Sequence, residues 1–447
     1  MLYSLYSLLL ATALLLSLPY WLFQMLRHRK YARGLIERLG RVSERLRSGN
    51  SVSPQVSSPT RVIWVHAVSV GEVIAVSGLV AAMRSRFPDY RVFVSTTTDT
   101  GQTMARKRFG EENVFYFPMD FAFAIRPYLR ALQPDLLVIA ETEFWPNFLR
   151  LARKSGARIA IVNARISDRS WPNYRRFRWL LRHVLSNVDL FLTQTAGDAA
   201  RLTAIGTEKS RVQVAGNLKF DANLPALLPI VEILRRSFAE TSAGPILVCG
   251  STTEGEEPLL LKAFEDLLEA HPRAVMILAP RHPERFAPVA ALLQEANIGF
   301  CQRSLWRTES LAGSVLLLDA MGELAALYAL ADVAFVGGSL VPRGGHNIIE
   351  PARYKAAIVV GPHTENFRDI VEMFRSRDAL RVARAEELSS VLIDLFAHPE
   401  HRAALGQRAA ETIRSQTGAT VRTLNAIQSL LPASAGSVPS EASAQFR

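Results

Sequence analysis

Gly337-Gly-Ser-Leu-Val-Pro-Arg-Gly-Gly-His-Asn-Ile-Ile-Glu-Pro351 is the stretch on which the reading of this chain turns. The apolar run before it, Asp332-Val-Ala-Phe-Val336, predicts a short buried strand entering a glycine-rich turn. Beyond the turn, His346, Asn347 and Glu350 are expected at a helix start, with Asn347 and Glu350 one turn apart on a shared face. Glycines let the backbone approach a ligand closely, and the free N–H groups of a helix start favour an anion. A carboxylate beside such N–H groups suits a sugar nucleotide, because a ribose diol donates hydrogen bonds while a phosphate accepts them. Taken alone, the stretch has a second, weaker reading as a capped helix with a surface carboxylate.

Outward from it, short apolar runs alternate with helical stretches. Val62–Val65, Val92–Val94, Leu136–Ile139, Ile159–Val162 and Leu190–Leu192 predict one set of buried strands, with helices such as Val73–Arg86 and Thr100–Phe109 between them. The pattern restarts with Pro245–Cys249, Ala274–Leu278, Val315–Leu318, Ala334–Val336 and Ala357–Val360, and Phe220–Glu240 would connect the halves. Strands alternating with helices imply parallel sheets covered on both faces. The fold class expected is α/β: two Rossmann-like, doubly wound domains facing a ligand cleft. The boundaries expected are an anchor at 1–26, a basic segment and Ser/Pro-rich linker at 27–60, and an N-terminal domain at 61–217. A C-terminal domain at 218–432 and a disordered Ala/Ser/Pro-rich tail at 433–447 complete the chain.

At 447 residues the chain exceeds one ordinary core, and 49% hydrophobic content argues against disorder. The two cysteines, Cys249 and Cys301, make no metal-ligand spacing and fit a reducing compartment. A formal charge of +11 points to an anionic partner: nucleic acid, anionic lipid or a phosphorylated substrate. Met1 to Met25 lack any charged side chain and suffice to cross a bilayer once, with Tyr3, Tyr6, Tyr20 and Trp21 toward the ends. Arg27, Arg29, Lys30 and Arg33 follow the apolar run instead of preceding it, so a cleaved signal peptide is not expected. The positive-inside rule then predicts a single anchor with the N-terminus outside and the body in the cytoplasm. Pro19, Ser4 and Ser7 weaken the span, and an interfacial helix is the alternative.

Four constellations could carry chemistry. In Trp64-Val-His-Ala-Val-Ser-Val-Gly-Glu-Val73 a strand turns into a helix, and Glu72 reads either as a capping carboxylate or as a general base. His66 alone reads as structural, while Ser69 could position an acceptor. In Ala140-Glu-Thr-Glu-Phe-Trp-Pro146 the two carboxylates point apart if extended, and Glu141 is the one assigned to the cleft. From Asn163-Ala-Arg-Ile-Ser-Asp-Arg169 to Arg182, basic and aromatic residues interleave: Arg165, Arg175, Arg176 and Arg178 stand near Trp171, Tyr174, Phe177 and Trp179. With an apolar N-terminus, lipid outranks nucleic acid as their partner. In the second half, Gly216-Asn-Leu-Lys-Phe-Asp221 offers Lys219, Ala279-Pro-Arg-His-Pro-Glu-Arg285 offers Arg281 for bidentate anion binding, and Asp319-Ala-Met-Gly-Glu-Leu324 offers a further glycine turn.

The stretches HAVSVGEV, ETEFWPN, NARISDRS, GNLKFD, PRHPERF, MGEL, GGSLVPRGGHNIIEP and GPHTENF occur in order between Arg61 and Asp369. In that set the chain resembles the 3-deoxy-D-manno-octulosonic acid (Kdo) transferases of lipopolysaccharide biosynthesis. The resemblance implies an inverting, metal-independent glycosyltransferase of the GT-B type, without a cofactor, at the cytoplasmic face of the inner membrane. Its donor would be CMP-Kdo, bound by the C-terminal domain, and its acceptor the lipid A precursor lipid IVA, bound by the N-terminal domain. Glu72 would be the general base, and Glu141 and Lys219 would stabilise the transition state. CMP would contact Pro280, Arg281, Met321, Gly322, Glu323, Asn347, Ile348, Ile349 and Glu350. Ser69, Arg165, Arg175, Arg176 and Arg178 are the candidate acceptor contacts, inner-membrane phospholipid is a further partner, and nucleic acid is not one. A membrane-tethered nucleic-acid module would not need glycine turns in both halves, and an inactive scaffold would not keep Glu72, Lys219, Arg281 and Glu350. A soluble-acceptor transferase would not need the apolar N-terminus.

Overall fold

The computed structural model describes residues 2–28, 34–47, 61–221 and 228–432. Arg29, Lys30 and Arg33 of the basic segment, the linker through Thr60 and the tail at 433–447 lie outside these residues. Within the described part of the basic segment there are two short helices, Leu35–Arg38 and Glu44–Arg47.

The first unit carries a seven-stranded, wholly parallel sheet: β1 (Arg61–His66), β2 (Tyr90–Thr96), β3 (Val114–Tyr116), β4 (Leu136–Ala140), β5 (Arg158–Ala164), β6 (Leu190–Thr193) and β7 (Val212–Val214). Its order is β3-β2-β1-β4-β5-β6-β7. Side chains alternate across it as strand geometry requires: Val62 and Trp64 enter one core, Ile63 and Val65 the other. Helices cover both faces, so both sides of each central strand are apolar and the strand reads as a continuous hydrophobic run.

The second unit repeats the plan with β8 (Ile246–Thr252), β9 (Val275–Pro280), β10 (Phe300–Gln302), β11 (Val315–Leu317), β12 (Val333–Val336), β13 (Ala357–Val360) and β14 (Arg381–Val382). Its order is β10-β11-β9-β8-β12-β13-β14. Leu247 and Cys249 face one core and Val248 the other.

The division of the chain departs from the expected boundaries. The first unit ends at Ala222 instead of 217 and takes back the chain from Thr417, so the C-terminal domain expected at 218–432 comprises Asn223–Gln416. A shared core and a carboxylate are among the interactions that hold the returning segment. Ala419 and Ile427 of the helix Ala419–Gln428 share a core with Val73 and Val76, and the Asp221 carboxylate accepts from the N–H groups of Gly418 and Thr420.

The helix Leu2–His28 is long and apolar enough to cross a membrane. Its first turns nevertheless touch the first unit. The Tyr3 hydroxyl donates to the His183 carbonyl at 3.2 Å, and Asn147 Nδ2 donates to Ser7 Oγ at 2.9 Å. Tyr3 is therefore a contact with the body of the first unit.

Candidate active site

In a doubly wound sheet a crevice opens where the strand order reverses, at the carboxyl ends of the flanking strands. In the first unit that point lies between β1 and β4. Beyond β1, the helix Val70–Arg86 begins after Ser69, and Glu72 falls in its first turn. The Glu72 carboxylate turns back on the loop, accepting from the Val68 N–H at 2.8 Å and the Ser69 hydroxyl at 3.0 Å. Only 8% of the residue is exposed. Burial is the main reason its pKa is pushed up to about 7; the nearby Glu141 and Glu143 carboxylates raise it further, and the two hydrogen bonds hold it back. A carboxylate poised near neutrality can both take and return a proton at physiological pH.

Beyond β4, Glu141 adopts φ +56° and faces the Lys219 ammonium, with Oε1 to Nζ at 3.4 Å. Both side chains are about one-third exposed, at 32% and 30%. The Lys219 loop is fixed by a polar network. Asn163, at the end of β5 with φ +55°, accepts the Leu218 N–H on Oδ1 at 3.0 Å. Gln194 donates to the Asn163 carbonyl and accepts from Asn217 Nδ2, each at 2.9 Å. Asn217 in turn accepts the Lys219 N–H at 3.0 Å. On the other side, the Thr142 hydroxyl donates to the Arg165 carbonyl at 2.6 Å, joining the Glu141 loop to the one bearing Arg165. His66 is fully buried beside this crevice, stacked on Phe117 at 3.9 Å, and burial pushes its pKa down to about 3. Its Nδ1 lies 3.0 Å from Ser95 Oγ.

In the second unit the order reverses between β8 and β12. Arg281 follows β9 with its backbone N–H bonded to Thr252 O at 2.9 Å and its side chain exposed. Asn347 Nδ2 donates to Glu350 Oε1 at 3.2 Å, as the one-turn spacing predicts. Burial raises the Glu350 pKa, while Asn347, Arg281 and Arg353 oppose the shift. His346 is held near 4 by burial and by the neighbouring Arg281 and His282. A guanidinium, an amide and a carboxylate thus stand together, able to bind a phosphate and a diol.

The start of the glycine turn is held from within the protein. The N–H groups of Gly338, Ser339 and Leu340 are not open to a ligand's phosphate. All three donate to the buried carboxylate of Glu256, at 2.7, 2.9 and 2.9 Å. Glu256 also accepts from the Thr253 N–H at 2.9 Å and the Thr253 hydroxyl at 3.0 Å. The protein supplies its own anion to this turn.

A 3-deoxy-D-manno-octulosonic acid transferase from Haemophilus influenzae is 34% identical over 406 residues, covering 90% of this chain and 92% of that protein. The chain belongs to the Kdo transferase family. The family described as 3-deoxy-D-manno-octulosonic-acid transferase matches residues 34–222. The Kdo transferase of Bordetella pertussis is 36% identical, covering 86% of this chain and 90% of its own. Among solved structures, UDP-GlcNAc 2-epimerase from Neisseria meningitidis is similar with a TM-score of 0.57 and 12% identity, covering 83% of this chain and all of that one. That likeness concerns the fold alone, and it is the GT-B class expected: two Rossmann-like doubly wound units, here preceded by an apolar helix.

In this Kdo transferase family member, the first unit brings Glu72, Glu141 and Lys219 to one crevice, with Ser69 bonded to Glu72 and Arg165 one loop away. The second unit gathers Arg281, Asn347 and Glu350, and Pro280 ends β9 beside them. Ile348 and Ile349 are 1% and 2% exposed, so only their backbone could meet a nucleotide. Glu323 is engaged by Arg303, at 3.0 and 3.3 Å, while Met321 is 64% exposed and Gly322 sits at φ +90°. Arg175, Arg176 and Arg178 are on the helices Trp171–Arg176 and Arg178–Leu185, all exposed. Sequence reasoning missed Glu256 and Gln194. Asn163 had one signal, an asparagine at a strand end, where that residue tolerates a left-handed backbone.

Proposed function

We propose that this chain transfers Kdo from CMP-Kdo to lipid IVA in lipopolysaccharide biosynthesis, with inversion at the anomeric carbon and no metal requirement. The observation that carries the mechanism is the near-neutral, buried carboxylate of Glu72 at the strand-order reversal of the first unit. Ionised Glu72 takes the proton of a sugar hydroxyl on lipid IVA. That oxygen forms a bond to the anomeric carbon of Kdo as the bond from that carbon to the CMP phosphate oxygen breaks. Attack from the face opposite CMP inverts the centre, and the bonding electrons leave with the phosphate. Arg281 and Lys219 are the cations available to the charge that develops, and Glu141 orients Lys219. Arg281 binds the phosphate and Glu350 the ribose hydroxyls of CMP, with Pro280, Met321–Glu323 and Asn347–Ile349 shaping the nucleotide site. Ser69 and Arg165 meet the acceptor sugars, and Arg175, Arg176 and Arg178 meet lipid phosphates at the cytoplasmic face of the inner membrane.

The test is a transfer assay with lipid IVA, CMP-Kdo generated in place and a chelator, read by mass spectrometry. Kdo-bearing product is expected from the unaltered protein, with kcat/KM rising with pH through about 7 as Glu72 ionises. Glu72→Gln should lower the rate by about 10³-fold, within the usual range for a general base. No product from the folded protein would remove the donor or acceptor assignment. Full activity in Glu72→Gln would move the base elsewhere.

A further inference from the structure

The helix Leu2–His28 is fastened along its first turns. Besides the bonds to His183 and Asn147, Asn187 Nδ2 donates to the Tyr3 hydroxyl at 3.1 Å, and the Arg150 guanidinium lies 4.5 Å from the Tyr3 ring centre. Tyr6 is close enough to the Asp120 carboxylate for the two to influence each other's protonation. Tyr3, Ser7, Leu10, Leu14, Ser17 and Trp21 are partly shielded, a recurrence at every third or fourth residue that marks one helix face. The opposite face is bare leucine: Leu5, Leu9 and Leu16 are 56%, 62% and 79% exposed, and Phe23 is 57% exposed.

The chain is also on the first unit after the helix. The Met119 N–H donates to the Arg38 carbonyl at 2.8 Å, and Gly34 packs against the Tyr116 ring. Both flanks of the helix thus touch one body. A helix crossing the bilayer with its N-terminus outside would place Tyr3 about 30 Å of hydrocarbon away from that body. The contacts of Tyr3 and Ser7 could not then form.

We propose that this helix lies in the plane of the membrane instead of crossing it, docked on the first unit with its leucine face in the bilayer. Beside its start, at His183, runs a segment that completes the surface. Phe177 and Trp179 are 47% and 63% exposed, and Arg175, Arg176, Arg178 and Arg182 are exposed among them. Aromatic side chains at headgroup depth and cations against phosphate are the chemistry of an anionic phospholipid surface. The occupant of this face is such a surface. The acceptor-side crevice is then held at the headgroups from two directions, since Ser7 is bonded to Asn147 in the first turn of the helix that follows the Glu141 loop.

Spin labels on Leu9→Cys, Leu16→Cys and Phe23→Cys, each in the full chain with Cys301→Ser, would read immersion depth in vesicles of phosphatidylethanolamine and phosphatidylglycerol. The three labels lie on the exposed face. An in-plane helix gives them one shallow depth. A crossing helix spreads them at about 1.5 Å per residue, with a spread on the order of 10 Å or more, and that result would overturn the proposal. Immobilised labels closed to both oxygen and a polar relaxant, with spin–spin broadening, would assign the face to a second copy of the chain and also overturn it. As a second arm, Arg175→Glu with Arg178→Glu should weaken vesicle binding at least tenfold with phosphatidylglycerol present and leave it unchanged with neutral lipid alone. Equal binding in both lipids would remove the basic segment from the membrane face. These readouts need no turnover, so they stand or fall apart from the transfer reaction.

Discussion

Glu72 and Glu256 occupy matching places in the two units. Each follows the strand beside the order reversal, β1 or β8, and each stands at the start of the next helix with its carboxylate folded back on the loop. They differ in what surrounds them. Glu72 receives two hydrogen bonds, from Val68 and Ser69, and has carboxylate neighbours in Glu141 and Glu143. Glu256 receives bonds from Thr253 twice and from Gly338, Ser339 and Leu340. A buried carboxylate with few donors is left reactive; one saturated with N–H groups becomes a fastening. The number and charge of the neighbours, not the residue or its place in the fold, separates the two.

The sharpest way to break this contrast is to remove the fastening. Glu256→Ala leaves three backbone N–H groups of the glycine turn without an acceptor, in a place where Ser339 is fully buried. Losing such partners should cost about 3–5 kcal/mol, lowering the melting temperature of the second unit by on the order of 10 °C. Urea and thermal unfolding measure it. Stability within 1 kcal/mol of the parent, on the scale of ordinary surface substitutions at about 0.5 kcal/mol, would show that the carboxylate merely occupies the turn.

Glu72 should behave in the opposite sense. Its pKa in the folded chain is about 7, above the ordinary 4.5, so the fold favours the protonated form. The associated stabilisation is fully present below about 4.5 and is lost as pH rises through about 7. The shift corresponds to about 3 kcal/mol. Glu72→Gln, which cannot ionise, should therefore match the parent near pH 4.5 and exceed its stability above pH 8 by about 1–3 kcal/mol. Urea unfolding of both proteins across that range decides the matter. A stability difference that does not change with pH would mean that Glu72 is not held against its own ionisation.

Much of this was legible in the sequence, and the boundary of legibility is physical. The central strands of both sheets are apolar on both faces, and each appeared as a hydrophobic run. The strands not foreseen, β3, β7, β10 and β14, are the edges, two or three residues long, and Gln213 and Val214 of β7 are exposed. The placement of Glu72 and Glu141 followed from strand ends, which the local pattern marks. What Glu256 does could not be read, because its partners at Gly338 to Leu340 lie far along the chain and ordinary residues precede it. The return of the chain at Thr417 was hidden for the same reason. An amphipathic helix announces a buried face but not which sheet will cover it.

The smallest effect concerns how the cation beside Glu141 is held. Lys219→Met should lower kcat by about 10- to 100-fold, the scale of one charged group near a developing charge. Asn163 touches neither substrate in the proposed mechanism; it accepts the Leu218 N–H and the Gln194 amide leans on its carbonyl. Glycine at this position keeps the left-handed backbone without strain and deletes only the side-chain acceptor. If Asn163 acts by positioning Lys219, Asn163→Gly lowers kcat by about threefold to tenfold with KM for the acceptor unchanged, an effect below 1.4 kcal/mol. The decisive comparison is the double variant. Residues that act as one unit are not additive, so Asn163→Gly should cost almost nothing once Lys219 is methionine. If the two losses multiply instead, the asparagine serves the fold of the loop generally, and the ammonium finds its place by pairing with Glu141 alone.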